Sequence, residues 1–188
     1  MKKLPYVFFA AFALQIALNY PQPRTIEDDT ITWTSGSLLT KDDFKGKRSL
    51  GGTAAATSSG ISVKSEDKNG ALTFNIKAVF YKSRSFMVDN SPDVLKHEQL
   101  HFDITELYAR KLREKIARRD FKKIGDVKAA IHNMFDDTFE DCQKEQSHYD
   151  LDTDHGINGA RQKTWIEEIN IQMLKLEQYS STEIEITG

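Results

Sequence analysis

The sequence predicts one α+β domain in which a small antiparallel sheet precedes three helices. Short runs that alternate apolar with polar residues fill the first half of the chain, up to Met87. A helix-start signal at Ser91-Pro92-Asp93 then opens a second half with apolar residues at helical spacing. The composition, 39% hydrophobic and 29% charged over 188 residues, suits one globular domain that is long enough to bury a core.

The beginning of the chain is expected to lie outside this domain. Lys2 and Lys3 precede an almost uninterrupted apolar run, Tyr6–Leu18, and prolines follow it. This pattern indicates a secretory signal peptide, whereas a membrane anchor, the alternative, needs about 20 apolar residues. We therefore expect residues 1–20 to direct export to the periplasm or the cell exterior, with membrane contact only through an uncleaved signal. Residues 21–188 are expected to form the single domain.

Composition excludes several classes of protein. Lys and Arg number 26 against 28 Asp and Glu, so the formal net charge of −2 argues against a nucleic-acid-binding protein. The one cysteine, Cys142, cannot form an intrachain disulfide. With 4 prolines and 10 glycines, the chain has no long linker rich in these residues.

The predicted strands begin with the short run Ile31–Thr34. Ile61–Ser65 and Leu72–Tyr81 each alternate apolar with polar residues, and the Asn-Gly pair between them is a strong hairpin signal. We expect these two runs to pair as adjacent antiparallel strands. The tail after Tyr179 is expected either to fray or to add one more short strand at Glu183–Thr187.

Three helices are predicted in the second half. The first runs from its N-cap Ser91 to about Arg119. The second fits Asp126 to about Tyr149, and a polar loop follows it. Asn158 can cap the third helix, which carries an apolar stripe.

The first predicted helix carries an HExxH motif at His97–His101. Residues i and i+4 lie one above the other on a helix, so both imidazoles can bind one Zn²⁺ at about 2.0–2.1 Å. A bound Zn²⁺ lowers the pKa of water to about 7, and Glu98 is placed to accept the proton. The motif therefore predicts zinc as cofactor, His97 and His101 as ligands, and Glu98 as general base. In the alternative, the two histidines pack in the core, where each ring needs a polar partner of its own.

A catalytic zinc needs a third protein ligand and one open position. His155 is the favoured candidate, because it lies in the polar loop and Gly156 lets the backbone turn sharply after it. Asp150 and His148, near the expected end of the second helix, are the alternatives. His132 lies beside the apolar stripe of that helix and is expected to pack there or to be half exposed.

A second pattern competes with the zinc site. Glu98-x-x-His101 and Glu145-x-x-His148 are two Glu-x-x-His pairs, which di-iron carboxylate proteins carry on a four-helix bundle. Because strands fill the first half of this chain and only three helices are predicted, the di-iron site is disfavoured.

Several segments together resemble the bacterial DUF922 family, whose members are described as predicted secreted zinc-dependent proteases. They are Ser85-Phe86, Leu95–Ile104, Glu106–Arg110 and Tyr149–Gly156, with Trp33, Asp43–Gly46, Gln162 and Trp165. Tyr149–Gly156 resembles the family's Tyr-Asp-x-x-Thr-x-His-Gly segment. Leu100 and Phe86, where the family often has Gly and Trp, depart from the pattern at positions that are not expected to bind metal. The resemblance implies a secreted zinc-dependent protease and strengthens His155 as the third ligand.

Two residues near the predicted metal have candidate roles beside it. Tyr149 is a candidate catalytic residue, because a tyrosine near the zinc of a peptidase often donates to the developing oxyanion. In the alternative, Tyr149 packs on the core at the helix end. Asp150, if it is not a ligand, can accept the free N–H of a ligand histidine.

These observations predict a secreted zinc-dependent metallopeptidase with a zincin-like fold, acting on a peptide or protein substrate. One alternative is a non-catalytic zinc-binding interaction module. Glu98 argues against it, since structural zinc sites are closed by four ligands and need no adjacent base. Another alternative is an amidase that acts on cell-wall peptides, which the sequence does not separate from a protease.

Overall fold

The computed structural model describes residues 29–48, 54–68, 71–122 and 124–186. These residues form a mixed α/β fold with a small antiparallel sheet and three helices, as predicted. The predicted signal peptide, residues 1–20, lies outside the described residues. No helix among those described is both long enough and apolar enough to cross a membrane.

Strands occupy the first half of the described chain, apart from one strand near its end. The strands are β1 (Thr30–Thr32), β2 (Ala55–Ala56), β3 (Ser59–Lys68), β4 (Ala71–Tyr81), β5 (Phe86–Met87) and β6 (Glu183–Ile186). The α-helices are α1 (Pro92–Ala117), α2 (Val127–Thr153) and α3 (Gly159–Lys175). Short 3-10 turns lie at Lys41–Asp43, Lys82–Arg84 and Glu177–Tyr179.

β4 is the central strand of the main sheet. The predicted hairpin is confirmed, because β3 pairs with β4 in antiparallel register from Ser59↔Phe80 to Lys68↔Ala71. The other edge of β4 is shared by two strands, with β1 opposite residues 79–81 and β6 opposite residues 72–75. A second, two-stranded sheet pairs β2 with β5.

Helix α1 begins as the sequence predicts. The Ser91 hydroxyl accepts a hydrogen bond from the backbone N–H of Val94, and Pro92 occupies the first helical position, where its missing N–H is not needed. α1 contacts the main sheet, α2 and α3. Its fully buried side chains Ile104, Leu107 and Leu112 are central to the core. The helix that carries the HExxH residues is therefore held on several sides.

A buried ionic cluster fixes the far half of α1 to later parts of the chain. Glu106, Arg110 and Arg113 are all buried, and one Glu106 carboxylate oxygen accepts hydrogen bonds from both guanidiniums. Arg110 also donates to the carbonyl oxygen of Met173 in α3 at 2.9 Å. Arg113 donates to the carbonyl oxygen of Ser180, also at 2.9 Å. The cluster thus ties α1 to the end of α3 and to the segment that leads into β6.

Candidate metal centre

The second and third turns of α1 bring two imidazole rings together. The Nε2 atoms of His97 and His101 lie 3.2 Å apart, because the two residues are one helical turn apart on the same face. The rings meet edge to face, with centroids 4.8 Å apart. Both Nε2 atoms are therefore directed at one point.

Asp150 of α2 supplies the third group at this point. Its Oδ1 lies 3.1 Å from Nε2 of His97 and 3.0 Å from Nε2 of His101. The three ligand atoms all lie within 4.8 Å of one another, the only such group of three among the described residues. Asp150 reaches the histidines because α2 continues through Thr153 instead of ending near Tyr149.

The three groups fit a zinc ion. Around a tetrahedral Zn²⁺ with bonds of about 2.0–2.1 Å, ligand atoms lie about 3.3–3.4 Å apart. The separations in this cluster are 3.0, 3.1 and 3.2 Å, so a small outward adjustment of the side chains admits the ion. Two imidazoles and one carboxylate are also a donor set that catalytic zinc sites use, and they leave a fourth position open.

The charges in the cluster favour an ionised carboxylate. Burial raises the pKa of Asp150, but hydrogen bonds and charge interactions with His101 and His97 outweigh it and hold the pKa below its usual range. Burial lowers the pKa of His101, but the neighbouring Asp150 carboxylate outweighs it and raises the pKa above its usual value. Asp150 is thus in the form that binds a cation.

Each histidine is held from behind by a glutamine. Nδ1 of His97 lies 3.2 Å from Oε1 of Gln162 in α3. Nδ1 of His101 is hydrogen-bonded to Oε1 of Gln146 in α2. Hydrogen bonds of this kind from the outer ring nitrogen are typical of metal-binding histidines.

Glu98 is buried beside the cluster, with only 4% of its surface exposed. Its Oε2 atom is buried and has no hydrogen-bond partner within the described part of the chain. Glu98 directly follows His97 in α1, and its charge contributes to raising the pKa values of His101 and Tyr149. A buried carboxylate oxygen without a partner is unfavourable, and such an atom indicates a group that the protein receives from outside.

His155, the favoured third ligand from the sequence, lies on the solvent side of the cluster. Its side chain is 66% exposed, and its Nδ1 is 3.7 Å from Oδ1 of Asp150. His155 is not part of the group of three. The third member of that group is Asp150, the alternative ligand. The backbone at Asp154, His155 and Gly156 has positive φ at three consecutive residues, 49°, 52° and 86°. This sharp turn brings the His155 ring back toward the end of α2.

Tyr149 lies behind the histidines, fully buried. Its ring stacks on the ring of His97 at a centroid distance of 4.7 Å. Its hydroxyl donates to Oε1 of Gln162 at 2.7 Å, and it is also 3.3 Å from the carbonyl oxygen of His97. For the predicted role at an oxyanion, the hydroxyl must give up these contacts.

The remaining histidines of α2 do not join the cluster. His148 contacts Trp165 edge to face, with ring centroids 5.2 Å apart. His132 is largely exposed and lies 3.6 Å from Asp136 on the same helix. Because His148 packs elsewhere, its Glu-x-x-His pair does not meet that of Glu98 and His101 as a di-iron site requires.

Gln146 was not among the site residues predicted from the sequence. Gln146 lies four residues before Asp150, so both side chains lie on the face of α2 that meets the HExxH residues. That spacing was a usable signal, but it requires α2 to be extended past Tyr149. Gln162 was named from the sequence only because it matches the family pattern, without a predicted role at the site.

The comparison with protein families agrees with the resemblance in part. A family model with the description "Bacterial protein of unknown function (DUF922)" matches residues 84–156. The matched stretch contains the HExxH residues, Asp150 and His155, and supports the family assignment. Trp33, Gln162 and Trp165, which also resemble the family, lie outside it. No curated protein and no solved structure matches the chain significantly.

Proposed function

We propose that this protein is a zinc-dependent hydrolase that cleaves peptide bonds outside the cytoplasm. The observation that carries the proposal is the buried Oε2 of Glu98, without a partner in the described structure, beside a group of three that fits zinc. A purely structural zinc site needs no such carboxylate. The sheet that precedes the motif-bearing helix supports the further proposal of a zincin-like fold.

The metal would be held by His97, His101 and Asp150. A bound Zn²⁺ supplies Lewis-acid chemistry, because it lowers the pKa of a water molecule to about 7 and polarises a carbonyl group. The exposed side chain of His155, 3.7 Å from Asp150, marks the side from which solvent and substrate reach the site.

Glu98 is suited to move a proton during hydrolysis. Its Oε2 has no competing hydrogen bond in the part of the chain that the structure describes, so this atom is free to accept a proton from the attacking water. The same oxygen can return the proton to the nitrogen of the leaving amine. Because Glu98 is buried, bulk water does not compete for the proton.

Replacement of Glu98 by glutamine tests this proposal. Glu98→Gln keeps the size of the side chain and removes the base, so we expect one bound zinc per chain and a loss of peptide cleavage of about 10²–10⁴-fold. Zinc is measured by elemental analysis of the purified protein, and cleavage with a broad peptide library. Glu114→Gln on the same helix is the matched control, and it should leave both unchanged. Unchanged cleavage in Glu98→Gln would place the activity at another site.

Two further variants separate the roles of the neighbours. The double variant His97→Ala/His101→Ala should lose stoichiometric zinc, and one equivalent still bound would contradict the site. Tyr149→Phe should keep zinc. If the Tyr149 hydroxyl serves an oxyanion, turnover should fall by about 10²–10³-fold. If it only holds Gln162, turnover should change far less.

The alternatives predict other results with the same protein. A binding module holds zinc tightly but cleaves no peptide in the library. An amidase of cell-wall peptides releases fragments from the cell-wall polymer and leaves ordinary peptides intact.

Export is tested by mass spectrometry of protein from its native host, where we expect an N-terminus past about Ala17. Full-length protein in the cytosol would contradict export.

A further inference from the structure

The carboxamide of Gln146 can have only one orientation. Its Nε2 donates to the carbonyl oxygen of His101 at 2.9 Å and also lies 3.2 Å from the hydroxyl oxygen of Thr105. A carbonyl oxygen accepts and cannot donate, so the amide nitrogen must face it. Oε1 of Gln146 therefore faces the ring of His101.

This orientation determines where His101 carries its hydrogen. Oε1 of Gln146 only accepts hydrogen bonds, so the Nδ1 atom of His101 that contacts it must be the donor. The other ring nitrogen, Nε2, faces Oδ1 of Asp150 and Nε2 of His97, where the metal would bind. Without metal, a hydrogen on Nε2 can be donated to the Asp150 carboxylate, and a bound cation would take the place of that hydrogen.

Gln162 makes the corresponding contact to His97, with a different second bond. Its Oε1 accepts from the hydroxyl of Tyr149 at 2.7 Å and lies 3.2 Å from Nδ1 of His97. Its Nε2 is buried and has no hydrogen-bond partner among the residues described. Oε1 of Gln162 thus contacts both Tyr149 and His97, whereas its Nε2 makes no hydrogen bond to the described residues.

We propose that Gln146 and Gln162 are positioning residues. Gln146 holds a hydrogen on Nδ1 of His101, and Gln162 holds one on Nδ1 of His97, so that both Nε2 atoms are free to bind the metal. The inference rests on the metal site of the proposed function but not on its hydrolytic step. Loss of a group that orients a metal-binding histidine typically lowers metal affinity by about 10–100-fold. We expect losses of this size when either acceptor is removed.

The test at Gln162 compares two substitutions. Gln162→Met keeps the length of the side chain but removes the acceptor, so the Kd for Zn²⁺ should rise by about 10–100-fold. Gln162→Glu keeps an acceptor and gives up only the unused amide, so its Kd should stay near or below that of the wild type. The Kd is measured by competition with a chromophoric chelator. Gln143→Met, at an exposed position of α2, is the control and should bind Zn²⁺ as the wild type does.

Gln146 should respond differently to the same substitutions. Gln146→Met should weaken Zn²⁺ binding as Gln162→Met does. Gln146→Glu should not restore it, because the amide contacts to His101 and Thr105 are lost and a carboxylate oxygen would face a carbonyl oxygen. Wild-type affinity in both methionine variants would overturn the proposal.

A spectroscopic measurement keeps the proposal testable even where a variant does not fold. Imidazole ¹⁵N–¹H NMR of the metal-stripped wild-type protein reports which ring nitrogen carries hydrogen. We expect hydrogen on Nδ1 of both His97 and His101, and in Gln162→Met we expect the hydrogen of His97 to be no longer confined to Nδ1. A wild-type spectrum with a bare Nδ1 on either ring would overturn the proposal. Neither readout requires turnover, so a protein without hydrolytic activity does not affect this test.

Discussion

At the scale of single residues, two separate observations explain why residue 156 is a glycine. Its φ of +86° lies in the left-handed region, which other residues rarely adopt. A Cβ at this position would also lie 2.9 Å from Cγ of His97, which is closer than a Cβ approaches atoms of other residues in proteins. The backbone of the loop after α2 therefore lies directly against the ring of His97, a proposed zinc ligand.

Gly156→Ala should displace His97 and strain the loop. We expect a loss of about 1–3 kcal/mol in the free energy of unfolding, together with weaker Zn²⁺ binding. Urea denaturation and chelator competition measure the two effects. Gly159→Ala is the matched control, because nothing lies within 4 Å of its Cβ position and its φ is not positive. Equal effects of the two substitutions would contradict this account.

The third ligand can be decided by two single substitutions. In the structure, Asp150 contacts both histidines, and His155 is exposed outside the group of three. Loss of a residue that only orients a metal ligand typically raises the Kd by about 10–100-fold. We therefore expect Asp150→Ala to raise the Kd for Zn²⁺ by more than this factor, and His155→Ala to raise it less. The sequence-based prediction of His155 as ligand gives the reverse order. Chelator competition with both variants distinguishes the two.

At the scale of elements, local signals predict where a helix starts better than where it ends. α1 was predicted from Ser91 and Pro92, and the structure confirms this start, because a cap and a proline act locally. α2 was predicted to end near Tyr149 but continues through Thr153. Polar residues after Tyr149 suggested a loop, yet Asp150 is stabilised by partners on α1 that no local pattern reveals. His155 was preferred over Asp150 because it lies in the polar loop before Gly156 and matches the family pattern, and neither signal reports the contacts that Asp150 makes with α1.

The ionic cluster on α1 should be sensitive to the charge of Glu106. Burial raises the pKa of Glu106, and the guanidiniums of Arg113 and Arg110 oppose this increase. Glu106→Gln would leave the buried guanidinium of Arg113 without its carboxylate, whereas Arg110 keeps Glu177 at 2.7 Å. The free energy of unfolding should therefore fall by about 3–5 kcal/mol. Urea denaturation measures this loss.

A second ion pair on the same helix provides the control. Glu114 pairs with Arg118 at 3.1 Å, and the side chain of Arg118 is 70% exposed. Exposed pairs of this kind contribute about 0–1 kcal/mol, so Glu114→Gln should have little effect. Similar losses of unfolding free energy in the two variants would show that the cost of Glu106→Gln does not depend on burial of the ionic cluster.

At the scale of the whole molecule, the sequence predicted the hairpin but not the complete sheet. The alternation of β3 and β4 and the turn between them are local signals, and their pairing is confirmed. Ile31–Thr34 was predicted as a strand without a partner, and a strand at Glu183–Thr187 was one of two alternatives for the tail. Their positions on one edge of β4 depend on contacts between distant parts of the chain. For the same reason, the pairing of β2 with β5 was not predicted.

Because the proposed zinc site joins α1 to α2, bound zinc should stabilise the whole fold. At a free concentration 100 times its Kd, the metal adds about 2.7 kcal/mol to the free energy of unfolding. For a chain of this length, that raises Tm by about 5–10 °C. Thermal unfolding with zinc and with a chelator measures the shift, and the variant His97→Ala/His101→Ala should show none. Equal Tm values for the wild type under both conditions would contradict zinc binding at this site.

The shared edge of β4 also has a consequence for the order of events during synthesis. Residues 72–75 of β4 pair with β6, which leaves the ribosome roughly a hundred residues later. At about 5–20 residues per second, that part of the strand waits roughly 5–20 seconds for its partner. During this interval its backbone N–H and C=O groups can pair with another nascent chain. The yield of folded protein should therefore depend on how quickly translation proceeds from Asn75 to Glu183.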